Sequence, residues 1–199
     1  MGWNRSIVVK ERLGGTTHEG RRIIFRDTPI DLGVYPGAGM REAIVVDSRK
    51  DPQIRILYEK AKLRAQSRRL GFLTAVFQIV SEEIPYNEER ANHLISRLNA
   101  WHDKKLYLGH FIEEHCGVCR HQALAAGVII ELATKEFRDS GRSSIDRNDS
   151  YAAHVWVRHY GSDSRIYILD VAQRFLGTLQ ESVRCPWDYF RPGEAKPKK

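Results

Sequence analysis

The sequence predicts an α+β fold in a single domain, because strand-like runs, capped helices and a hairpin follow one another along its 199 residues. Short β-branched runs and turns occupy residues 1–50, and helical patterns occupy 51–100. A long apolar helix and two alternating segments follow within 105–190. We therefore expect a helix packed on an antiparallel sheet, with a flexible tail at 193–199.

The composition is that of a globular protein, with 42% hydrophobic and 29% charged residues. These fractions exclude a largely disordered or collagen-like chain. Three cysteines are an odd number, which argues against a disulfide framework. No apolar run is long enough to span a membrane, and the first ten residues lack a secretory signal, so we expect a cytoplasmic protein. Residues 1–6 match a myristoylation pattern, but the bulky Trp3 beside the acceptor glycine disfavours it.

The net charge of +7 permits binding to nucleic acid or to an acidic protein. The basic residues are scattered, and the densest groups, at 21–22, 68–69 and 196–199, are small. This pattern predicts a solvated basic surface. An acidic partner would suit the charge, whereas nucleic acid is not an expected partner.

The first fifty residues contain three predicted strands, over 7–9, 22–25 and 43–46. Glycine-rich segments at 14–17 and 33–39 are predicted to be turns. The second of these lacks the Gly-Lys-Ser/Thr of a phosphate-binding loop, so it is not expected to bind a nucleotide.

Three helices are predicted in the next fifty residues. Asp51 followed by Pro52 is typical of a helix start, and Gly71 is expected to interrupt that helix. A more apolar helix is expected over 73–80, and Asn87 begins a third helix that continues through Leu98. The apolar positions assigned to the first helix are Ile54, Leu57, Ala61 and Leu63.

A nearly all-apolar helix with many small residues is predicted after Gly117, and it is expected to be buried and closely approached by other elements. Cys119 falls in its first turn, where free backbone amides and the helix dipole favour a thiolate. Arg120 and His121 share this turn and are expected to be exposed, within reach of the thiolate or a substrate.

A polar loop is expected over 138–150, followed by a β-hairpin with strands at 154–160 and 165–170. If the turn is centred on Ser162, His154 lies directly opposite Asp170 on the same face. A register shifted by one residue would place these side chains on opposite faces. Trp156 is expected to pack between helix and sheet.

Cys119, His154 and Asp170 are therefore the parts of a nucleophile–base–orienter triad. The segments around them read Gly-Val-Cys-Arg-x-x-Ala-Leu, His-Val-Trp-Val and Tyr-Ile-Leu-Asp, in this order. Over about residues 105–175 they resemble the signature of the transglutaminase-like superfamily of papain-like enzymes. The resemblance implies a papain-like core whose nucleophile helix packs on an antiparallel sheet.

The same resemblance implies that Cys119, His154 and Asp170 are catalytic and that the Cys119 amide contributes to an oxyanion hole. It implies acyl transfer from amide bonds through a thioester, as in a transglutaminase, a glutamine deamidase or a peptidase. A protein or peptide substrate is then expected, with no cofactor or metal. The second oxyanion donor is not placed by the pattern, and its candidates are Gln78, Asn87 and Asn92.

Three other interpretations remain open. Cys116 and Cys119 have the spacing of a thioredoxin-like redox pair, although a proline does not follow at the expected distance. A zinc site would use these cysteines with His154 and His159, but two strand residues five apart point to opposite faces. The third is a non-catalytic basic module that keeps the fold. Cys185 is expected to be structural.

Overall fold

The computed structural model describes residues 16–148 and 153–196, and within them the protein is a mixed α+β fold with two sheets and five helices. The strand predicted over 7–9 and the lipidation pattern over 1–6 lie outside the described residues. No helix in the described part of the chain is long and apolar enough to cross a membrane.

The first sheet has five short strands in sequential order, with β2–β3 and β4–β5 parallel and the other pairs antiparallel. The strands are β1 (Thr17–His18), β2 (Arg21–Ile23), β3 (Gly33–Tyr35), β4 (Ala43–Val46) and β5 (Lys105–Tyr107). The prediction for 43–46 is confirmed, but the predicted turn over 33–39 begins with a strand. Gly33 is required there because a Cβ would lie 2.5 Å from Ile24 Cγ1, whereas Val34 and Tyr35 are good strand formers.

Five helices lie between and beside the sheets: α1 (Pro52–Arg68), α2 (Phe72–Glu83), α3 (Glu88–Arg97), α4 (Gly109–Glu113) and α5 (Cys119–Glu136). The predicted caps are confirmed, because the side chains of Asp51 and Asn87 accept backbone N–H bonds from the first turns of α1 and α3. The break after α1 comes earlier than expected, at a left-handed Arg69, and Gly71 instead precedes α2.

One apolar position assigned to α1 was wrong. Leu63 is 63% exposed, whereas Ile54, Leu57 and Ala61 are buried together with Tyr58. These four follow the i, i+3, i+4, i+7 spacing of one helix face, and Leu63, two positions after Ala61, falls on the other side.

The second sheet is an antiparallel meander of four strands: β6 (Arg142–Asn148), β7 (His154–Tyr160), β8 (Ile166–Asp170) and β9 (Phe175–Thr178). The loop predicted over 138–150 is wrong for its larger part, because β6 pairs with β7 along its whole length. The segment is mostly polar and was therefore predicted to be a loop, but it is a strand whose Ile145 contributes to the main core.

The register of the β7–β8 hairpin differs by two residues from the prediction. Tyr160 pairs with Ile166, not with residue 164, so five residues rather than three connect the strands. Because side chains alternate with a period of two, this shift leaves every residue on its predicted face. His154 and Asp170 are therefore diagonal neighbours rather than direct partners.

Helix α5 lies in the main core, between the two sheets, and is buried along most of its length. It is closely approached from both sides at Gly127, where a Cβ would lie 2.7 Å from Ile30, between β2 and β3, and 3.0 Å from Ile145 of the second sheet. The face of β7 that packs on α5 carries Val155 and Val157.

Trp156 therefore lies on the other face of the sheet, not between helix and sheet as predicted. It packs there with Leu179 and Tyr189, so the segment after β9 covers this face. Glu194 of the same segment pairs with the buried Arg158. This part of the predicted tail is thus bound to the sheet, and residues 197–199 lie outside the described residues.

Candidate active site

Cys119 is the first residue of α5 and is half-buried. The chain reaches it in extended conformation, with Val118 at the N-cap position (φ −126°, ψ 179°). Just before, the Gly117 carbonyl accepts the Asn87 N–H at 2.8 Å, and Gly117 forms a parallel bridge with Tyr86. A Cβ at Gly117 would lie 2.6 Å from Ile84, so the tight approach into the helix requires glycine.

His154 and Asp170 are brought together at one end of the second sheet. His154 begins β7 and Asp170 ends β8. Their side chains are almost fully buried, and His154 Nε2 lies 2.5 Å from Asp170 Oδ2. Diagonal neighbours on one face are within reach of long side chains, which explains how the pair forms in the observed register.

The imidazole of His154 is shared between Asp170 and Cys119. Burial disfavours the charged ring, but hydrogen bonds and negative charge from Asp170 and Cys119 outweigh it and raise the pKa of His154 to about 9. Because Nε2 faces Asp170, the nitrogen left for Cys119 is Nδ1. The site therefore favours an imidazolium between a carboxylate and a sulfur.

Tyr189 is a further residue of the site that the sequence interpretation did not identify. Its buried hydroxyl donates to Asp170 Oδ2 at 2.8 Å, while Asp170 Oδ1 accepts the Gln173 N–H at 3.0 Å. Burial, followed by the charge of Asp170, raises the pKa of Tyr189, so the hydroxyl keeps its proton. Both carboxylate oxygens are thus fixed.

Two tryptophan rings pack near the imidazole of His154. Trp187 lies 4.6 Å from the imidazole, centroid to centroid, at 33°, and Trp156 lies 6.0 Å away at 30°. Trp187 belongs to the aromatic run Cys-Pro-Trp-Asp-Tyr-Phe at 185–190, from which the sequence interpretation took only a structural Cys185. These rings limit water access to the imidazole–carboxylate bond.

Tyr86 is an exposed aromatic residue near Cys119. Its side chain is 55% exposed, and it belongs to the segment that bridges to Gly117. Partial burial, and then the charge of Cys119, raise the pKa of the Tyr86 phenol, which places it within electrostatic reach of the sulfur.

The other two thiols have different surroundings. Cys116 is buried in a cluster with residues of α3 and α4, and burial raises its pKa. Burial and the charge of Asp170 raise the pKa of Cys185. All three cysteines are free. Of the three, Cys119 is the one whose proximity raises the pKa of His154.

The residues considered for zinc are separated. His159 lies on the face opposite to His154, as strand alternation predicts, and contacts Ser143 Oγ at 3.1 Å. Within 16–148 and 153–196, no group of three or more His, Cys, Asp or Glu side chains has the arrangement of a metal site.

The expectation that Arg120 and His121 are exposed was wrong. They are 6% and 0% exposed, and both bind the carboxylate of Glu42, which precedes β4. A helix turn that is buried on this side leaves neither residue free to contact substrate.

Two of the three candidates for a second oxyanion donor have structural roles. Asn87 caps α3, and Asn92 Oδ1 accepts a bond from Arg41 at 2.7 Å. Gln78, in α2, keeps a buried Oε1 without a hydrogen-bond partner among the described residues. The Cys119 N–H, in the first turn of α5, has no acceptor within the helix.

Comparisons of the chain with protein-family models, curated proteins and solved structures found no significant match. The functional argument therefore depends on the geometry around Cys119, His154 and Asp170.

Proposed function

We propose that the protein is a cysteine-dependent acyl-transfer enzyme of the papain-like, transglutaminase-like type. Cys119 is the nucleophile, His154 the acid–base and Asp170 the residue that orients it. The observation that carries this proposal is the position of His154, whose Nε2 lies 2.5 Å from the buried Asp170 carboxylate and whose pKa is raised by Asp170 and by Cys119 at the N-terminus of α5.

In the first half of the reaction, the Cys119 thiolate attacks the carbonyl carbon of an amide. The carbonyl oxygen becomes an oxyanion that the Cys119 N–H stabilises, with Gln78 the remaining candidate for a second donor. The imidazolium of His154 gives its proton to the amide nitrogen, the C–N bond breaks and the amine leaves. The product is a thioester on Cys119 and a neutral His154, which Asp170 keeps in position.

In the second half, a water molecule or an amine attacks the thioester while His154 takes its proton. The C–S bond then breaks and releases the Cys119 thiolate, and because His154 keeps the proton that it took, the thiolate–imidazolium pair is restored. Water gives a carboxylic acid, as in a deamidase or peptidase, and an amine gives a new amide, as in a transglutaminase. Both outcomes use the same three residues and differ in the second substrate.

The fold supports the same assignment. A nucleophile at the first turn of a buried helix, with histidine and aspartate on neighbouring strands of the sheet that the helix packs on, is the arrangement expected of a papain-like core. The triad residues come from α5, β7 and β8, whose relative positions are determined by the main core.

The experiment that tests the proposal is the capture of the thioester. The protein is incubated with peptides that carry glutamine carboxamides and internal amide bonds, quenched in acid and measured as intact protein by mass spectrometry. We expect an adduct equal to the acyl part of the donor, mapped to Cys119, together with release of ammonia or amine. Cys119→Ala should abolish both, whereas Cys185→Ser should retain them.

The alternatives give different results. If oxidation links Cys116 to Cys119 and no acyl adduct forms, the protein is a redox protein. If all thiols are inert in the folded protein while an acidic ligand binds with strong salt dependence, it is a binding module. Either outcome overturns the proposal.

A further inference from the structure

Three polar side chains are buried beneath the first turn of α5 and take no part in the proposed chemistry. Glu42 and His121 are fully buried, and Arg120 is 6% exposed. Burying such groups is costly, and apolar side chains of similar volume would pack as well or better. Their presence therefore calls for a role that apolar side chains cannot fill.

The hydrogen bonds of His121 define its tautomer. The Val118 N–H donates to Nδ1 at 2.9 Å, so Nε2 carries the proton and donates to Glu42 Oε1 at 2.8 Å. Burial, with a smaller contribution from the charges of Arg120 and Arg41, lowers the pKa of His121 to about 4 against the opposing effect of Glu42. The ring is thus neutral and serves as an acceptor for the backbone.

The bond to Val118 is one half of a capping box whose other half is missing. Val118 occupies the N-cap position of α5 and has no side-chain oxygen to accept an N–H from the first turn. His121, at N3, supplies the returning half of a capping box, a position where Glu or Gln usually accepts the N-cap N–H. Its ring also stacks on Phe111 at 3.8 Å between centroids.

We propose that His121, held from behind by Glu42, is a positioning residue for Cys119. Its ring holds the Val118 N–H and so fixes the point at which the extended chain becomes helix. Because Cys119 is the next residue, this also fixes the direction in which its sulfur faces His154. This inference rests on the proposed function, because positioning matters only if Cys119 reacts. Small displacements of a reacting group have large effects on rate.

Two substitutions separate positioning from packing. In His121→Gln the amide oxygen can still accept the Val118 N–H, whereas His121→Phe keeps the stack on Phe111 but offers no acceptor. The control is Val128→Ala, which removes buried volume from α5 away from its first turn. The probes are iodoacetamide alkylation of Cys119, normalised to the alkylatable fraction, and hydrogen exchange of the Val118 amide.

We expect His121→Phe to slow alkylation of Cys119 by about tenfold or more and to lose protection of the Val118 amide. His121→Gln and Val128→Ala should stay within about threefold of the wild-type rate. Equal rates for His121→Phe and the wild type, or equal losses in His121→Phe and Val128→Ala, would overturn the inference. If His121→Phe does not fold, Glu42→Gln serves in its place, with a partial loss of rate and of Val118 protection expected.

A failure of the proposed function gives a different result. Cys119 would then be unreactive in the wild type too, while the Val118 amide would still lose protection in His121→Phe.

Discussion

Two buried histidine–carboxylate pairs in the described part of the chain share the same contact and differ in the charge of the histidine. His121 Nε2 lies 2.8 Å from Glu42, and His154 Nε2 lies 2.5 Å from Asp170. Yet the pKa of His121 is lowered by burial to about 4, whereas the pKa of His154 is raised to about 9. A carboxylate partner therefore does not by itself decide the charge of a buried histidine.

The second nitrogen and the neighbouring charges make the difference. Nδ1 of His121 accepts the Val118 N–H, which a protonated ring cannot do, and Arg120 already balances the charge of Glu42. The ring of His154 instead lies near both Asp170 and Cys119, and both of these residues raise its pKa. The His121–Glu42 pair thus holds the backbone at Val118, whereas the His154–Asp170 pair is suited to proton transfer.

The largest effect is expected from removing His154, the histidine that is cationic. His154→Ala should slow thioester formation on Cys119 by about 10³-fold, because the nucleophile loses its base and the leaving amine loses its acid. The measurement is the single-turnover rate of adduct formation by mass spectrometry. His159→Ala, on the opposite face of the same strand, should remain within about threefold. A loss smaller than about tenfold in His154→Ala would contradict the assignment.

The neutral, buried His121 should make the stability of the fold sensitive to acid. The pKa of His121 is about 4 in the folded protein and near 6.5 when unfolded, so between these values the unfolded state binds more protons. Stability should therefore fall as the pH drops from about 6.5 to 4, by on the order of 3 kcal/mol from this group. Urea unfolding at about pH 6.5 and 4.5 measures the loss.

His121→Gln is the matched variant for this measurement, because it retains an acceptor for Val118 and does not titrate. Its loss of stability over the same interval should be smaller than that of the wild type. Equal losses would mean that other groups, such as the buried carboxylates, account for the acid sensitivity.

The smallest effect concerns Tyr189. In Tyr189→Phe, Asp170 loses a donor and becomes a stronger partner for the imidazolium, so the pKa of His154 should rise by less than about one unit. Thioester formation requires protonated His154 to release the amine, so the alkaline limb of its pH profile should move to higher pH. A shift in the opposite direction would contradict the role given to the hydroxyl.

The placement of His154 and Asp170 on one face of the sheet was predictable from local sequence, because a register error of two residues leaves the strand faces unchanged. The hairpin register was wrong by two residues, yet His154 and Asp170 remained on one face. The caps Asp51 and Asn87 were predictable because a cap depends on a few adjacent residues.

The remaining parts of the site depend on contacts that are distant in sequence. Glu42 is 79 residues from His121, and no local pattern marks it as a partner. Tyr189 and Trp187 follow the last strand, and they reach the site because the chain returns over the second sheet. The polar strand β6 was missed because its pairing with β7, rather than an apolar alternation, holds it in place.

The most direct test of the contrast between the two pairs is the protonation state of each ring, measured by ¹⁵N NMR of the histidine side chains as a function of pH. At about pH 7 the account predicts a cationic His154 and a neutral His121 with its proton on Nε2. The His154 titration should lie near pH 9 in the wild type and move to lower pH in Cys119→Ala, which removes the sulfur's charge. A neutral His154 at about pH 7, or a titration unchanged in Cys119→Ala, would contradict the thiolate–imidazolium pair and the function built on it.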